Sequence, residues 1–361
     1  MKVLISGGGT GGHIYPALAL IRHLENEQEA EFLYVGTDKG LEASIVPKAG
    51  INFKSVHITG FRRKLSAENF KTVMRFLKAV KTARKYIREF KPDIVIGTGG
   101  YVCGPVVYAA AKAGVPTIIH EQNSVPGLTN KFLARYVDRI AVSFNEAENY
   151  FPKEKVVFTG NPRASEAAKT AVSGRALEAL GLSNELSTVL VVGGSRGARP
   201  INEAVMSAFP SWNGQDFQVV YVTGEVHYEE IAAELKEKET EKLKAVPYIE
   251  DMPSLLKEVN LVVARAGATT LAELTALGLP SILIPSPYVT NNHQYKNAKA
   301  LVDKGAAVLI EENVLNADSL TQAIQHGLSA DNQQLMKKKA LEAGVPESAT
   351  LLTKEIKKLL K

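Results

Sequence analysis

The stretch VLISGGGTGGH at residues 3–13 decides the fold, because an apolar strand runs directly into a glycine-rich turn. An apolar segment with helical periodicity, Ala17–Leu24, follows that turn. The same order returns with VLVVGGSRGA at residues 189–198, which precedes a predicted helix over Ile201–Ala208. Each half of the chain therefore begins as strand, glycine turn and helix, which is the start of a βαβ unit.

Further apolar strands alternate with helical segments in both halves of the chain. They are predicted at Glu31–Val35, Ile94–Ile96, Thr117–His120, Arg139–Val142, Gln218–Val222, Leu261–Ala264, Ser281–Ile284 and Ala307–Ile310. Strands that alternate with helices form parallel sheets covered on both faces. The sequence therefore predicts an α/β protein of two Rossmann-like, doubly wound domains. Ligands of such sheets bind beyond the carboxyl ends of the strands, so we expect the active site in the cleft between the domains.

A Gly-Asn-Pro turn at residues 160–162 marks the predicted boundary between the domains. It assigns residues 1–162 to an N-terminal domain and residues 163–344 to a C-terminal domain. The pattern alone does not attach the last predicted helix, at about residues 350–361, to either of them.

The composition is that of an ordinary globular protein, with 361 residues of which 45% are hydrophobic and 22% charged. The single cysteine, Cys103, excludes intrachain disulfides and multi-cysteine zinc sites. No run of residues is long and apolar enough for a transmembrane helix, and the N-terminal apolar run is too short for a signal peptide. We expect a soluble protein of a reducing compartment, most simply the cytosol.

Two glycine-rich turns in equivalent positions predict two phosphate-bearing ligands, since such turns let the backbone approach a phosphate at a helix N-terminus. A tight turn without a ligand is the alternative for either one. Neither turn ends in Gly-Lys-Ser/Thr, which excludes a P-loop. A dinucleotide site needs an acidic residue ending the second strand, and Asp38 and Glu225 lie just past those ends. A dehydrogenase is therefore possible but not favoured over a sugar-nucleotide enzyme.

Dense polar or glycine clusters follow three other predicted strands, at residues 97–101, 120–123 and 265–270, with Glu273 in the helix after the third. The sequence His-Glu-Gln-Asn at 120–123 cannot be apolar core, because four polar side chains need partners. It forms either a loop hydrogen-bond network or a site for a hydroxyl-rich ligand. His13 is either a helix cap or a general base beside the first glycine turn. His293 lies in a polar loop without a decided role, and no Asp-X-Asp pair demands a divalent metal.

A basic amphipathic stretch over residues 61–91 carries eleven basic and two acidic residues, so its net charge is +9 while the rest of the chain has −4. Phe70, Val73, Leu77, Val80 and Ile87 fall on one helical face of the stretch. A neighbouring stripe is basic and comprises Lys71, Arg75, Lys78 and Lys85. The pattern favours docking on an anionic membrane surface over plain packing against the sheet. Nucleic acid is a poor alternative, because no reading motif accompanies the helix.

Six motifs in register resemble the MurG family, the peptidoglycan N-acetylglucosaminyltransferases that convert lipid I to lipid II. They are GGTGGH at 8–13, GGY at 99–101, HEQN at 120–123, GNPR at 160–163, GGSRGA at 193–198 and RAGAT at 265–269 with Glu273. The resemblance covers essentially the whole chain. It implies a GT-B fold, a C-terminal helix (about residues 345–361) that packs back on the N-terminal domain, and a peripheral location on the cytoplasmic face of the cell membrane.

The resemblance also implies roles for individual residues. UDP-N-acetylglucosamine would bind the second domain, with Ile249 and Tyr248 at the uracil, Glu273 at the ribose and Gln294 at the sugar. The remaining implied donor contacts are Thr10, Gly11, Gly12, Asn123, Arg163, Gly194, Ser195, Ala268 and Thr269. The diphosphate of the lipid acceptor would meet Gly9, Thr10, Gly99 and Gly100. The membrane would meet Phe70, Lys71, Arg75, Leu77 and Lys78.

The implied reaction is an inverting transfer without cofactor or metal. The 4-hydroxyl of the acceptor attacks the anomeric carbon and displaces UDP, which needs a base and positive stabilisation of the departing diphosphate. His13 is the first candidate for the base and Glu121 the second, and Tyr101 and Asn123 would position the sugars. The alternatives are another GT-B transferase, such as a diacylglycerol glycosyltransferase, a nicotinamide oxidoreductase, and a nonenzymatic nucleotide sensor at a membrane surface.

Overall fold

The structure is a computed structural model that describes residues 1–60, 67–172, 174–194, 197–236 and 242–361, without the side chains of residues 67–70. The chain divides into two compact units. Unit 1 comprises Met1–Ser165 and Glu347–Lys361, and unit 2 comprises Glu166–Pro346. Among the described helices, none combines the length and the apolar character that crossing a membrane requires.

The described strands of unit 1 form a seven-stranded parallel sheet in the order β3-β2-β1-β4-β5-β6-β7. The strands are β1 Lys2–Gly7, β2 Glu31–Gly36, β3 Phe53–Ser55, β4 Ile94–Gly99, β5 Thr117–Glu121, β6 Arg139–Val142 and β7 Val156–Phe158. The helices are α1 Gly11–Glu27, α2 Glu42–Lys48, α3 Ala67–Phe90, α4 Cys103–Lys112, α5 Leu128–Leu133 and α6 Pro162–Lys169, which runs on into unit 2.

Both faces of this sheet are covered, which explains why β1, β4 and β5 read as continuous apolar runs. One core lies between the sheet and the helices α3, α4 and α5. The other lies against α1 and includes Leu352 and Ile356 of the C-terminal helix, Ser348–Leu359. The strand order reverses between β1 and β4, and at such a switch point the loops part to leave room for a ligand.

The described strands of unit 2 form a six-stranded parallel sheet in the order β10-β9-β8-β11-β12-β13. The strands are β8 Ser187–Val192, β9 Phe217–Val222, β10 Leu243–Val246, β11 Leu261–Ala264, β12 Ser281–Leu283 and β13 Ala307–Leu309. The helices are α7 Ala176–Ala179, α8 Arg199–Ala208, α9 Tyr228–Lys236, α10 Met252–Leu256, α11 Ala268–Leu277, α12 His293–Val302, α13 Ala317–Leu328 and α14 Ala330–Ala343; the C-terminal helix of unit 1 is α15. Here the switch point lies between β8 and β11.

The predicted α/β class and the two doubly wound sheets are confirmed. Every predicted strand is present with ends shifted by three residues or fewer. The strands β3, β7 and β10 were not predicted. They are short segments at sheet edges, where half-buried or exposed residues carry little apolar signal.

Candidate functional site

The first glycine turn connects β1 to α1 and fixes the position of His13. The Nδ1 atom of His13 is 2.9 Å from the carbonyl oxygen of Gly8 and 3.3 Å from the hydroxyl of Thr10. A carbonyl oxygen only accepts, so Nδ1 carries the proton of the neutral ring and the lone pair lies on Nε2. The ring also lies against Gly99, where a Cβ would come within 2.9 Å of Nε2.

The loop after β4 packs closely on that turn because glycines form it. Gly99 and Gly100 have φ values of 109° and 85°, and a Cβ at Gly100 would run into the backbone of Gly8. The next residue, Tyr101, is 37% exposed and its ring lies beside Gly9. The structure therefore brings together His13, Tyr101 and the four residues predicted to meet the acceptor diphosphate, which follow two neighbouring strands.

His120 and Gln122 join the ends of β4 and β5 to the segment before α6. The Gln122 amide donates to the carbonyl of Thr98 at 2.6 Å and to Nδ1 of His120 at 2.9 Å. Nε2 of His120 donates to the carbonyl of Gly160 at 2.9 Å. Burial lowers the pKa of His120 to about 4, against the opposing effect of the Gly160 hydrogen bond, and His13 lowers it further. His120 is therefore a neutral structural bridge at physiological pH.

Glu121 is 2% exposed and its carboxylate accepts four hydrogen bonds. Oε1 accepts from the backbone and the side-chain amide of Asn123, at 3.0 and 3.2 Å. Oε2 accepts from the backbone of Gly127 at 3.1 Å and from the Asn130 amide at 2.9 Å. A carboxylate that accepts from four donors of its own loop holds that loop in place. This geometry favours a positioning role for Glu121 and for Asn123, whose amide donates to it.

Two features of this end of unit 1 were not predicted from the sequence. Glu42 is fully buried at the start of α2, and its carboxylate accepts from the backbone of Gly9 at 3.0 Å. Cys103 is also buried; its thiol donates to the carbonyl of Ser6 at 2.7 Å and accepts from the backbone of Gly99 at 3.1 Å. Burial raises the pKa of Cys103 to about 12. An acidic residue six positions beyond a strand end carries no motif of its own, so only the fold reveals the role of Glu42.

Arg163 lies at the start of α6 in unit 1. Its backbone donates to the side chain of Asn161 at 3.1 Å, and its guanidinium lies 5.8 Å from the centre of the Tyr15 ring on α1. Since α1 begins at Gly11, the cation and the N-terminal residues Gly11 and Gly12 belong to the same end of the same unit. The structure thus places the positive charge of Arg163 beside Tyr15, in the first turns of the helix whose N-terminal N–H groups follow the glycine turn.

The second glycine turn connects β8 to α8 in unit 2. Gly194 has a φ of 100° and is exposed, and a Cβ at Gly193 would come within 2.8 Å of the Ala198 side chain. The predicted contact Ser195 lies outside the described residues. Gly194 therefore presents its backbone toward solvent shortly before the ten-residue helix α8, the kind of place where anions bind.

The loop from β11 to α11 forms the other side of the switch point in unit 2. Arg265 directly follows β11. One terminal nitrogen of its guanidinium donates to the carbonyl of Ile284 at 3.0 Å, and the other is 2.5 Å from Glu312. Because it is paired in this way, Arg265 braces the loop. Ala268 and Thr269 are the first residues of α11, and Glu273 follows on the same helix with 7% exposure.

The remaining predicted donor contacts lie on neighbouring loops of unit 2. Tyr248 is 49% exposed after β10, and Ile249 packs partly on the core. Gln294, in the first turn of α12, accepts from the backbone of Ser286 at 2.9 Å, which holds the loop after β12. His293 is bonded to the carbonyl of Thr290 at 2.8 Å. The segments that follow β10, β11 and β12 thus all carry predicted donor residues. Within the described ranges, no group of three His, Cys, Asp or Glu side chains could hold a metal ion.

The basic amphipathic stretch forms α3, and its two halves differ in burial. Val80 and Ile87 are buried as expected for packing, but Val73 and Leu77, from the same predicted apolar face, are 43% and 56% exposed. Met74 is 44% exposed beside them. In this half of α3 the ring of Phe76 packs against Phe132 of α5, at 5.9 Å between ring centres, while Val73, Met74 and Leu77 are left exposed. Residues 61–66 and the side chain of Phe70 lie outside the described residues.

Exposed lysines flank these apolar side chains. Lys71 and Lys78 are exposed, whereas Arg75 donates to the hydroxyl of Thr59 at 2.9 Å and is partly buried. Leu128 and Phe132 of α5, 75% and 39% exposed, extend the apolar surface. We call Lys71, Val73, Met74, Leu77, Lys78, Leu128 and Phe132 the α3–α5 surface. Exposed apolar side chains bordered by cations are typical of a surface that binds a membrane or a partner molecule.

The chain is a glycosyltransferase and belongs to glycosyltransferase family 28. Residues 3–142 match the family's N-terminal domain and residues 188–352 match its C-terminal domain. The resemblance that the six motifs predict is confirmed by relatives of the same length as this chain.

The relatives share the whole length of the chain. A protein of Bacillus licheniformis is 58% identical over 99% of both chains, and one of Bacillus cytotoxicus is 57% identical over 100% of both. Each is named UDP-N-acetylglucosamine–N-acetylmuramyl-(pentapeptide) pyrophosphoryl-undecaprenol N-acetylglucosamine transferase. The crystal structure of Acinetobacter baumannii MurG is 29% identical, covers 99% of both chains and has a TM-score of 0.78. A UDP co-structure of Staphylococcus aureus MnaA, 16% identical with a TM-score of 0.72, shares the fold.

Proposed function

We propose that this protein transfers N-acetylglucosamine from UDP-N-acetylglucosamine to lipid I, the undecaprenyl-diphosphate-linked N-acetylmuramyl-pentapeptide, and so forms lipid II for peptidoglycan. The observation that carries the proposal is the 57–58% identity, over the full chain, to transferases named for this reaction. The site supports it independently, because each unit has a glycine turn at the switch point of its sheet, which suits one phosphate-bearing substrate per unit.

His13 is the proposed general base of an inverting transfer. The acceptor 4-hydroxyl attacks the anomeric carbon, the bond from that carbon to UDP breaks, and the hydroxyl proton passes to Nε2 of His13. The contact between Nδ1 and the carbonyl of Gly8 supports this role, because it holds the ring in the tautomer with its lone pair on Nε2. Glu121 is the weaker candidate, since four donors already occupy its carboxylate.

The departing UDP needs positive stabilisation, which the chain can supply without a metal. We propose that the N-terminus of α8 after Gly193-Gly194, the first residues of α11 and the guanidinium of Arg163 supply it. Helix N-termini carry partial positive charge and unpaired N–H groups, so they stabilise a leaving diphosphate as it gains charge. Glu273, 7% exposed on α11, would hold the ribose hydroxyls with its carboxylate oxygens.

The decisive experiment measures UDP release from UDP-N-acetylglucosamine with and without a lipid I analogue. We expect release only when the acceptor is present. His13→Ala should lower kcat by about 10²–10⁴-fold, the usual contribution of a general base. His326→Ala, at an exposed histidine of α13, is the matched control and should leave kcat unchanged. A folded wild-type protein that does not turn over this pair, or that prefers diacylglycerol as acceptor, contradicts the proposal.

The α3–α5 surface is the proposed attachment to the anionic cytoplasmic leaflet of the cell membrane, where the lipid acceptor resides. Each lysine near such a surface contributes about 1 kcal/mol, and the exposed Leu77 adds apolar burial. We expect Lys71→Glu with Lys78→Glu to abolish sedimentation with vesicles that contain phosphatidylglycerol. Lys337→Glu with Lys338→Glu on α14 makes the same charge change elsewhere and should sediment as wild type does. Equal sedimentation of the two double variants would remove the α3–α5 surface from the proposal.

A further inference from the structure

The glycine turn after β1 already contacts a carboxylate side chain of the protein itself. Glu42 is fully buried in the first turn of α2, and Oε2 of its carboxylate accepts from the backbone N–H of Gly9 at 3.0 Å. Oε1 accepts from the backbone N–H of Thr37 at 3.0 Å and from its hydroxyl at 2.7 Å. Two backbone N–H groups and a hydroxyl around one carboxylate are the kind of cradle that phosphate groups receive in other glycine turns.

The glycines around Glu42 fit its side chain closely. A Cβ at Gly8, Gly36 or Gly40 would come within 2.5 Å of a Glu42 side-chain atom, so the Glu42 side chain keeps its position only while all three are glycine. Gly8 lies in the turn after β1, Gly36 ends β2 and Gly40 precedes α2. Part of the glycine content that suggests an external phosphate therefore serves an internal carboxylate.

We propose that Glu42 is the resident anion of this turn and acts as a positioning residue for His13. By holding Gly9, it sets the path of the chain between β1 and α1, and the carbonyl of the adjacent Gly8 then fixes Nδ1 of His13. The N–H of Gly9 is occupied, as is that of Gly99, which donates to the thiol of Cys103. The acceptor diphosphate must therefore find its donors among other groups of this loop cluster. That consequence rests on the function proposed above.

The first test replaces the carboxylate by a small molecule and needs no turnover. Glu42→Ala removes the atoms that acetate contains, and acetate should raise its melting temperature by about 3 °C or more relative to wild type in the same buffer. Acetamide, the uncharged isostere, should not do so. If the variant does not fold, the yield of refolding in acetate against acetamide gives the same comparison. Equal effects of the two additives, or no effect of acetate, would contradict the proposal that Glu42 is a resident anion.

The second test separates positioning from stability. Glu42→Gln leaves a donor facing either Gly9 or Thr37, so we expect the KM for the lipid acceptor, or kcat, to worsen by about tenfold. The KM for UDP-N-acetylglucosamine should stay unchanged. Thr37→Val is the matched control, because it removes one hydrogen bond to the same carboxylate but keeps Gly9 anchored. Glu42→Gln with wild-type kinetics, or Thr37→Val with the same loss, refutes positioning. If the wild-type protein lacks turnover, the proposed function fails, but the acetate test still shows whether the turn holds the Glu42 carboxylate as an anion.

Discussion

The buried His120 should make the stability of the protein fall steeply with acid. In the folded chain its ring donates to the carbonyl of Gly160 and accepts from the amide of Gln122, so both nitrogens are used in the neutral form. Burial is the main reason that its pKa lies at about 4, below the ordinary value of 6.5. A lowered pKa means that protonation favours the unfolded chain. The stabilising contribution is therefore fully present above pH 6.5 and is lost as the pH falls through 4.

The size of the effect follows from the two pKa values. A difference of about 2.5 units, from 6.5 to about 4, corresponds to about 3 kcal/mol at about 1.36 kcal/mol per unit. Between pH 7 and pH 5 the loss amounts to about 2 kcal/mol, because the unfolded histidine is then almost fully protonated while the folded one is still neutral. His120→Gln cannot take up this proton. It should cost stability at every pH but should remove this part of the slope.

The assay is urea unfolding followed by circular dichroism at several pH values, for wild type and His120→Gln. We expect the difference between their unfolding free energies to shrink by about 2 kcal/mol from pH 7 to pH 5. Proton NMR of the seven histidines provides the direct check, since one ring should stay neutral down to about pH 4. Parallel stability curves, or a His120 signal that titrates near 6.5, would refute the reasoning.

Three further outcomes are expected. Cys103 should resist thiol reagents at pH 8 in the folded protein, because burial raises its pKa to about 12, and its modification rate should follow the unfolded fraction in urea; rapid native labelling would contradict this. Gly100→Ala should destabilise the protein by about 1–3 kcal/mol more than Gly114→Ala. Both positions have positive φ, but only the first Cβ meets backbone, at Gly8, so equal melting temperatures would exclude the clash. Glu273→Gln should raise the KM for UDP-N-acetylglucosamine by about tenfold and leave that of the acceptor unchanged, as expected for one charged hydrogen bond; an unchanged donor KM would remove Glu273 from the ribose.

Two residues of the site, His13 and Glu273, could be predicted from the sequence because each lies within a short motif of neighbouring residues. His13 ends a glycine turn, and Glu273 follows one within a helix, so strand, turn and helix place each of them at a switch point. The role of Glu121 was not readable in this way. A carboxylate at a strand end suggests a general base, but the structure surrounds Glu121 with hydrogen-bond donors from Asn123, Gly127 and Asn130. Which donors reach a loop carboxylate depends on how the loop folds.

The sequence by itself determined the alternation of strands and helices, the two glycine turns, the family and hence the reaction, because period and motif are properties of neighbouring residues. Tertiary structure alone decided which apolar residues of α3 are covered, why His120 is neutral and that Glu42 occupies the first glycine turn. Burial and hydrogen-bond partners depend on segments that are distant in the chain, such as Gly160 for His120 and Gly9 for Glu42. Their free energies therefore arise only once the sheet has brought those segments together.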